Sequence, residues 1–309
     1  MTWPVPADGV PSVVTVGKFD GVHRGHREVI AQLIGRAEGR RVVVVTFDRH
    51  PLSVVDPGRA PAPLLSTAQK VEQLEAVGAD LVVVLPFTEQ FRDLSPEGFV
   101  RDILVNGLAA ELVLVGADFR YGRDGVGTID SLRQEGETQG FDVAIIGDVC
   151  FDESSVRISS SAIRSALSDG NVELAAHLLG RPHSVRGEVV HGHQRGRDLG
   201  FPTVNLEEHS EGFVPIPGVY AGTLEVGGQR YFAGISVGMN PTFDDVERPQ
   251  VEAHALDADF DAYGQVATIS FTHRLRDSLH FSTIDDLMRA MDKDIADIRE
   301  LIAAGELAL

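Results

Sequence analysis

The stretch "VTVGKFDGVHRGHREVI", residues 14–30, starts as a β-branched apolar run and ends with the apolar spacing of a helix. Between the two lie Gly17, Gly21 and a pair of imidazoles, His23 and His26, three residues apart. A strand that passes through a glycine turn into a helix is the first half of a βαβ unit. In a parallel sheet that turn lies at the carboxyl end of the strand, where ligands bind near a topological switch point. The helix start contributes free N–H groups and the positive end of its dipole. Two imidazoles at i and i+3 on the first turn share one side of it. They suit the α- and β-phosphate oxygens of a nucleoside triphosphate, because preplaced donors stabilise the charge that builds there during in-line attack on the α-phosphorus. Taken alone, an HxxH pair is more often the solvated cap of an exposed helix; the glycines and the strand-end position favour the ligand. Neither G-x-x-x-x-G-K-[ST] nor G-x-G-x-x-G follows this strand.

Outward from this turn, β-branched runs recur at Arg41–Thr46, Leu81–Pro86, Glu111–Val115 and Asp142–Ile146. Helical patterns lie between them near Arg24–Ala37, Thr67–Val77, Ser95–Gly107 and Thr128–Gln139. Continuous apolar strands alternating with helices predict a doubly wound α/β domain with a parallel sheet. After "LLGRPHSVRG" (Leu178–Gly187) the rhythm changes. Strand-like segments follow one another at Ser184–Val190, Val219–Val226, Tyr231–Val237, Gln250–Leu256 and Val266–Phe271, which predicts a small antiparallel β-barrel. A long helix closes the chain, with Ile284, Leu287, Met291, Ile295, Ile298 and Ile302 spaced as one apolar face. The expected domains are therefore 1–180 and 181–309.

Acidic residues outnumber basic ones 46 to 27, a formal charge of −19, which argues against nucleic acid or an anionic membrane as partner. No apolar run approaches the ~20 residues of a membrane-spanning helix. "MTWPVPADGV" lacks the basic start and apolar core of a secretory signal, so a cytoplasmic protein is expected. The single cysteine, Cys150, excludes an intrachain disulfide and reads as a small buried apolar residue. Self-association is left open.

Two further stretches invite anion chemistry. In "VGADFRYGRDGVG" (Val115–Gly127), Asp118 can accept from ligand donors while Phe119 and Tyr121 offer flat walls, although a turn with structural aromatics reads the same way. In "RISSSAIR" (Arg157–Arg164), Ser160 and Ser161 can cap a helix or hold phosphate, with Arg157 and Arg164 as bridging cations. Together with "GKFDGVHRGH", these stretches resemble, in the correct order, the HxGH signature, the G-x-(N/D)-F-x-(F/Y)-G loop and the I-S-S-T/S-x-I-R segment of prokaryotic FAD synthetases. The resemblance implies that His23 and His26 are catalytic. It implies nucleotide contacts at Gly17, Phe19, Asp20, Gly21, Asp118, Arg157, Ser160, Ser161 and Arg164. "TFDRHP" (Thr46–Pro51) resembles the family's T-F-D-P-H-P, with Arg49 in place of proline, and implies flavin contact at His50, with Phe119 and Tyr121.

In the second half, "GHQRGRDLGFPTVNL" (Gly192–Leu206) places Thr203 and Asn205 on the same side of an extended segment, as neutral oxygen ligands suited to Mg²⁺ already held by ATP. A glycine-rich hairpin with a polar strand fits these residues as well. The stretch resembles the riboflavin kinase signature around G-F-P-T-A-N, with Val204 in place of alanine. "PIPGVYAG" (Pro215–Gly222), "SVGMNPTF" (Ser236–Phe243) and "VEAHALDADFDAYG" (Val251–Gly264) are similar to other segments of that family. The resemblance implies a catalytic base at Glu252 and nucleotide contacts at Gly192, Arg195, Gly196, Arg197, Gly200 and Pro202. It further implies flavin contacts at Asn240 and Tyr263, and Mg²⁺ on Thr203 and Asn205. The usual L-Y-G stands as Ala262-Tyr263-Gly264. His191, His193 and His254 are expected to be structural. The whole chain resembles a bifunctional riboflavin kinase and FAD synthetase, with ATP and flavins as substrates. Three rivals remain at this stage: a barrel that only senses flavin, a binding-only relic, and transfer to a different phosphorylated acceptor.

Overall fold

The structure is a computed structural model that describes residues 3–146, 158–191, 203–240, 248–258 and 260–309. The chain divides into two compact units, Met1–Ser159 and Ser160–Leu309.

In the first unit β1 (Ser12–Val16), β2 (Arg41–Phe47), β3 (Leu81–Leu85), β4 (Ala110–Gly116) and β5 (Asp142–Ile146) form a sheet in the order β3-β2-β1-β4-β5. All its pairings are parallel, as expected for a doubly wound fold. The unbroken valine runs follow from burial on both faces. Val14, Val16, Val43, Val45, Val113 and Val115 pack on one side of the sheet, beside Phe91 and Phe99. Val13, Val42, Leu112 and Leu114 pack on the other with Leu33 of helix α1 (Arg24–Ile34). The strand order reverses between β1 and β4, so the crevice opens at Gly17 and Gly116.

The remaining helices of this unit are the short α2 (Leu52–Val55), then α3 (Thr67–Ala76), the short α4 (Glu89–Arg92), α5 (Pro96–Phe99) and α6 (Ile129–Gln139). A reciprocal Ser66–Gln69 capping box starts α3. The helix expected over Ser95–Gly107 begins with Ser95 capping Gly98, then widens into a π-helix over Val100–Val105. There Asn106 N–H reaches back to the Arg101 carbonyl at 2.9 Å, and Val100, Ile103 and Leu104 are all buried.

The second unit opens with α7 (Ser160–Ser168) and α8 (Val172–Leu179). Its strands β6 (His183–Val190), β7 (Val204–Leu206), β8 (Gly218–Val226), β9 (Gln229–Asn240), β10 (Arg248–Ala255) and β11 (Val266–Arg276) close into an antiparallel barrel in the order β10-β7-β6-β11-β8-β9. Helix α8, not foreseen from sequence, starts on an Asn171 cap, ends at left-handed Gly180, and packs on β6 and β11. The division of contacts thus falls at Ser159/Ser160, ahead of the residue-180 boundary read from sequence rhythm. Where β8 crosses β11, any Cβ at Gly222 would run into the Ser270 carbonyl, so only glycine fits. His183 is buried against Phe271, and its Nε2 lies 2.6 Å from the Phe213 carbonyl. Burial depresses this imidazole to about 4 despite that hydrogen bond.

The closing helix α9 (Ile284–Ala303) starts on a Thr283 cap. Its apolar face packs on the barrel through Ile295, Ile298 and Ile302, with a Cβ at Gly234 only 3.3 Å from the Ile298 side chain. Ile284 departs from the expected face: it lies on the first turn and is 62% exposed.

Candidate active sites

The turn after β1 is held in unusual backbone. Phe19 (φ +49°), Gly21 (+84°) and Val22 (+42°) are all left-handed, a rare state for a β-branched residue and one that concentrates at ligand sites. Asp20 latches this turn to the chain ahead of α3 by accepting the Leu64 N–H at 2.9 Å. His23 is the N-cap of α1: its Nδ1 accepts the His26 N–H at 3.3 Å. With Nδ1 accepting, the neutral ring carries its proton on Nε2. The His23 and His26 rings stack at 3.6 Å between centroids and 13° between planes, and Phe19 meets His26 edge-on at 5.0 Å. The sequence Arg24-Gly25 between them has a physical reason. A Cβ at Gly25 would lie 3.2 Å from His23 Nδ1, against the stacked rings.

His26 Nδ1 is buried and has no hydrogen-bond partner among the described residues. A proton there would be unsatisfied, so the neutral ring carries it on Nε2. Burial, with the imidazole of His23 and the ammonium groups of Lys18 and Lys70 nearby, holds this imidazole well below its ordinary range, hence neutral at pH 7. The pair thus presents two N–H donors at the carboxyl end of β1, that of His26 uncharged.

Beside them a cavity of about 820 Å³ opens at the ends of β1, β2 and β4. Gly17 and Lys18, Phe47 and His50, and Gly116, Asp118, Phe119 and Tyr121 line it. Its aromatic wall was not foreseen beyond Phe119 and Tyr121. Phe47, Phe87 and Phe91 pack at 5.4–5.7 Å, Phe99 contacts Tyr121 at 5.6 Å, and Phe119 stacks on Tyr121 at 5.7 Å. Tyr121 is fixed by Ser131 at 3.1 Å, and Gly122 and Gly127 let Pro96 and the tyrosine ring approach closely. The histidines themselves do not line this cavity, although Gly17 and Lys18 of the same turn do.

The turn after β2 is equally ordered. Asp48 accepts the Phe87 N–H at 2.8 Å and pairs with Arg49 at 2.9 Å, and the Thr67 hydroxyl donates to its carbonyl. Burial works to raise the Asp48 carboxyl, but the bonds from Arg49 and Phe87 outweigh it and hold it below its ordinary value. Sequence reasoning missed Lys70, which is buried on α3 and donates to the carbonyls of Phe47 (2.6 Å) and Lys18 (3.4 Å). Burial lowers its affinity for a proton, opposed by Asp20 and Asp48. Its signal was a lysine four residues before buried Leu74, on the apolar face of the helix.

Of the remaining phosphate candidates, Ser160, Ser161 and Arg164 lie on the first turns of α7, in the second unit. Arg157 lies outside the described residues.

In the barrel, strand register gathers the second set. Glu252 on β10 stands opposite Asn205 of β7 and Ser236 of β9. Asn205 donates from Nδ2 to Thr203 Oγ1 at 3.2 Å, so the two side chains do share a side, and its Oδ1 accepts from Gln250 at 3.2 Å. A cavity of about 310 Å³ between the barrel wall and α9 is lined by Thr203, Ser236, Glu252 and His254 on one side and by Leu287, Met291 and Ile295 on the other. Arg276 and Asp294 close one end as a two-pronged ion pair at 2.9 and 2.7 Å. Tyr263 follows β10 and packs on His191 at 3.8 Å, apart from the residues lining this cavity. Asn240 ends β9, and its side chain lies outside the described residues, as do Gly192, Arg195, Gly196, Arg197, Gly200 and Pro202, together with His193 and Cys150. Among the described residues no group of three or more His, Cys, Asp or Glu could hold a metal. Thr203 and Asn205 each keep a lone pair, which suits an ion that arrives with phosphate ligands of its own.

Comparison with known proteins joins these two sites. The FAD synthetase family model matches residues 6–162 and the riboflavin kinase model residues 179–302. The chain belongs to the bifunctional riboflavin kinase/FMN adenylyltransferase family. Its relatives of that description include the protein of Escherichia coli K12, 36% identical over 93% of this chain and 92% of the relative. That of Listeria monocytogenes is 36% identical over 96% and 94%, and that of Bacillus subtilis 36% over 92% and 90%. A solved structure described as a macrolide-efflux protein from Streptococcus pneumoniae is 33% identical, covers 94% of each chain and superposes with a TM-score of 0.85. Among the described residues no helix is long and apolar enough to cross a membrane.

Proposed function

We propose that the chain makes FMN and then FAD, with 1–180 as the FMN adenylyltransferase domain and 181–309 as the riboflavin kinase domain. The observation that carries this reading is the stacked imidazole pair, with His26 held neutral, beside an aromatic-walled cavity at the β1/β4 switch point. In the first domain a phosphate oxygen of FMN attacks the α-phosphorus of ATP, the α–β bridging P–O bond breaks, and pyrophosphate leaves. His23 and His26 donate Nε2–H to the oxygens on which charge builds. Gly17, Phe19, Asp20 and Gly21 shape the nucleotide turn. Asp118, Arg157, Ser160, Ser161 and Arg164 complete the nucleotide contacts. His50, Phe119 and Tyr121 take the flavin.

In the second domain Glu252 accepts the proton of the ribityl 5′-hydroxyl as that oxygen attacks the γ-phosphorus, and ADP leaves. Thr203 and Asn205 would hold Mg²⁺, which offsets charge on the transferring group when bound. Gly192, Arg195, Gly196, Arg197, Gly200 and Pro202 surround the kinase nucleotide, and Asn240 and Tyr263 contact flavin. The enzyme acts in the cytoplasm on small molecules; a net charge of −19 supports binding to neither nucleic acid nor membrane, and leaves self-association open. The test is incubation with ATP and Mg²⁺, once from riboflavin and once from FMN, read by flavin chromatography. FMN and FAD are expected; the absence of both products ends the proposal.

A further inference from the structure

We propose that Lys70 is a positioning residue for adenylyl transfer: its buried ammonium ties the turn after β1, which carries the histidine pair, to the turn after β2, which walls the aromatic cavity. The inference rests on the assignment of adenylyl transfer to the first unit. The Lys70 side chain is almost completely buried, on the inward face of α3. A lysine is rarely enclosed unless its donors are used. Here Nζ donates to the Phe47 carbonyl at 2.6 Å, the last residue of β2, and to the Lys18 carbonyl at 3.4 Å, two residues past β1.

The Lys18 carbonyl also accepts from the Thr46 hydroxyl, at 3.0 Å. One acceptor on the histidine turn is therefore held by two donors, one from β2 and one from α3. Asp20 and Asp48, one on each turn, compensate the ammonium charge. Lys18 and Phe47 both line the cavity, and His23 follows on the same turn as Lys18. The nucleotide-side donors and the flavin-side wall are thus fixed at one spacing by a group that needs to touch neither substrate. In-line transfer depends on that spacing, because a misplacement of about 1 Å costs roughly 100-fold in rate.

Lys70→Met keeps the length and apolar stem and removes the donors. With FMN and ATP it is expected to lower kcat about 100-fold while leaving the KM of each substrate within about threefold. Riboflavin phosphorylation by the same sample should not change. Trp3, the one tryptophan of the chain, packs on Phe91 at 5.3 Å and reports the folding of this unit. An unchanged emission maximum with reduced kcat supports positioning. A variant that keeps wild-type kcat overturns it. If Lys70→Met instead exposes Trp3, Thr46→Val decides, since it removes the second donor to the Lys18 carbonyl with almost no change of shape. A kcat reduced about tenfold at constant KM supports the proposal, and an unaltered kcat overturns it. Wild-type protein that forms no FAD from FMN would instead remove the assignment on which the inference rests.

Discussion

The two sites are built in opposite ways. In the first unit the histidine pair sits where a turn at the end of a strand opens a helix, beside backbone that departs from both regular conformations: Phe19, Gly21 and Val22 are left-handed. In the barrel the acid–base candidate lies inside a strand, and its neighbours come from register, with Glu252 facing Asn205 and Ser236 across two ladders. A turn site can be adjusted residue by residue and stores strain. A register site inherits its geometry from the whole closed sheet, and a slip of one residue would turn Glu252 away from the cavity.

The largest effects should separate the two halves completely. His26→Ala is expected to lower FAD formation from FMN by roughly 100- to 1000-fold while riboflavin phosphorylation persists. Glu252→Ala should do the reverse, losing roughly 100- to 10,000-fold in phosphorylation with FMN adenylylation intact. Flavin chromatography on both variants checks this, and a barrel that still phosphorylates riboflavin without Glu252 would break the comparison at its second term.

Next comes pH. The folded barrel holds His183 at about 4, against 6.5 in the unfolded chain. Below pH 6.5 the unfolded state takes up a proton that the folded state refuses, so stability declines as pH falls and levels off beneath about 4. His183 alone contributes roughly 3 kcal/mol across that window. His26 acts with the same sign in the first unit. Urea midpoints at pH 7.5 and 4.5 should diverge less in His183→Gln than in wild type; equal divergence would remove His183 as the cause.

A smaller and more diagnostic effect is expected at Gly25. Alanine there favours helix by up to about 1 kcal/mol, yet its Cβ would press on His23 Nδ1. Gly25→Ala should therefore hold or raise Tm while FAD formation drops about tenfold, opposite signs that no general destabilisation produces. Smallest of all should be Arg49→Ala. The Arg49 side chain is 57% exposed and its ion pair with Asp48 is worth under about 0.5 kcal/mol. Asp48 keeps its bond to Phe87 N–H, so FAD formation should stay within about twofold; a larger loss would give Arg49 a direct contact with substrate.

This contrast also explains what the sequence disclosed. The histidine turn is contiguous, so its glycines, imidazoles and strand end are visible together in seventeen letters. The valine runs announce a sheet buried on both faces, and β1 to β5 lie within a residue or two of their expected bounds. The barrel site is different. Glu252 is far from Thr203 and Asn205 in the chain, and only the family resemblance joined it to them before the register did. Helix α8 is only eight residues long, and its signals, the Asn171 cap and Gly180, were passed over in placing the boundary by the change of rhythm after it. Ile284 fits the helical period yet faces solvent, since periodicity fixes a direction around the axis and not how far the partner surface extends. The position of Lys70 on the apolar face of its helix was legible, but its role was not: its partners are backbone carbonyls, which carry no letter of their own.

Closure of the barrel has a consequence for how the protein ages. Each of its six strands has a neighbour on both sides, so among the described residues even the long β9 and β11 are flanked by partners along much of their length. The open sheet of the front half does have outermost strands, β3 and β5, and each is only five residues long. Fibre growth or strand exchange in a damaged molecule would therefore begin at those two short margins, and the flavin-phosphorylating half would be the last to be drawn in.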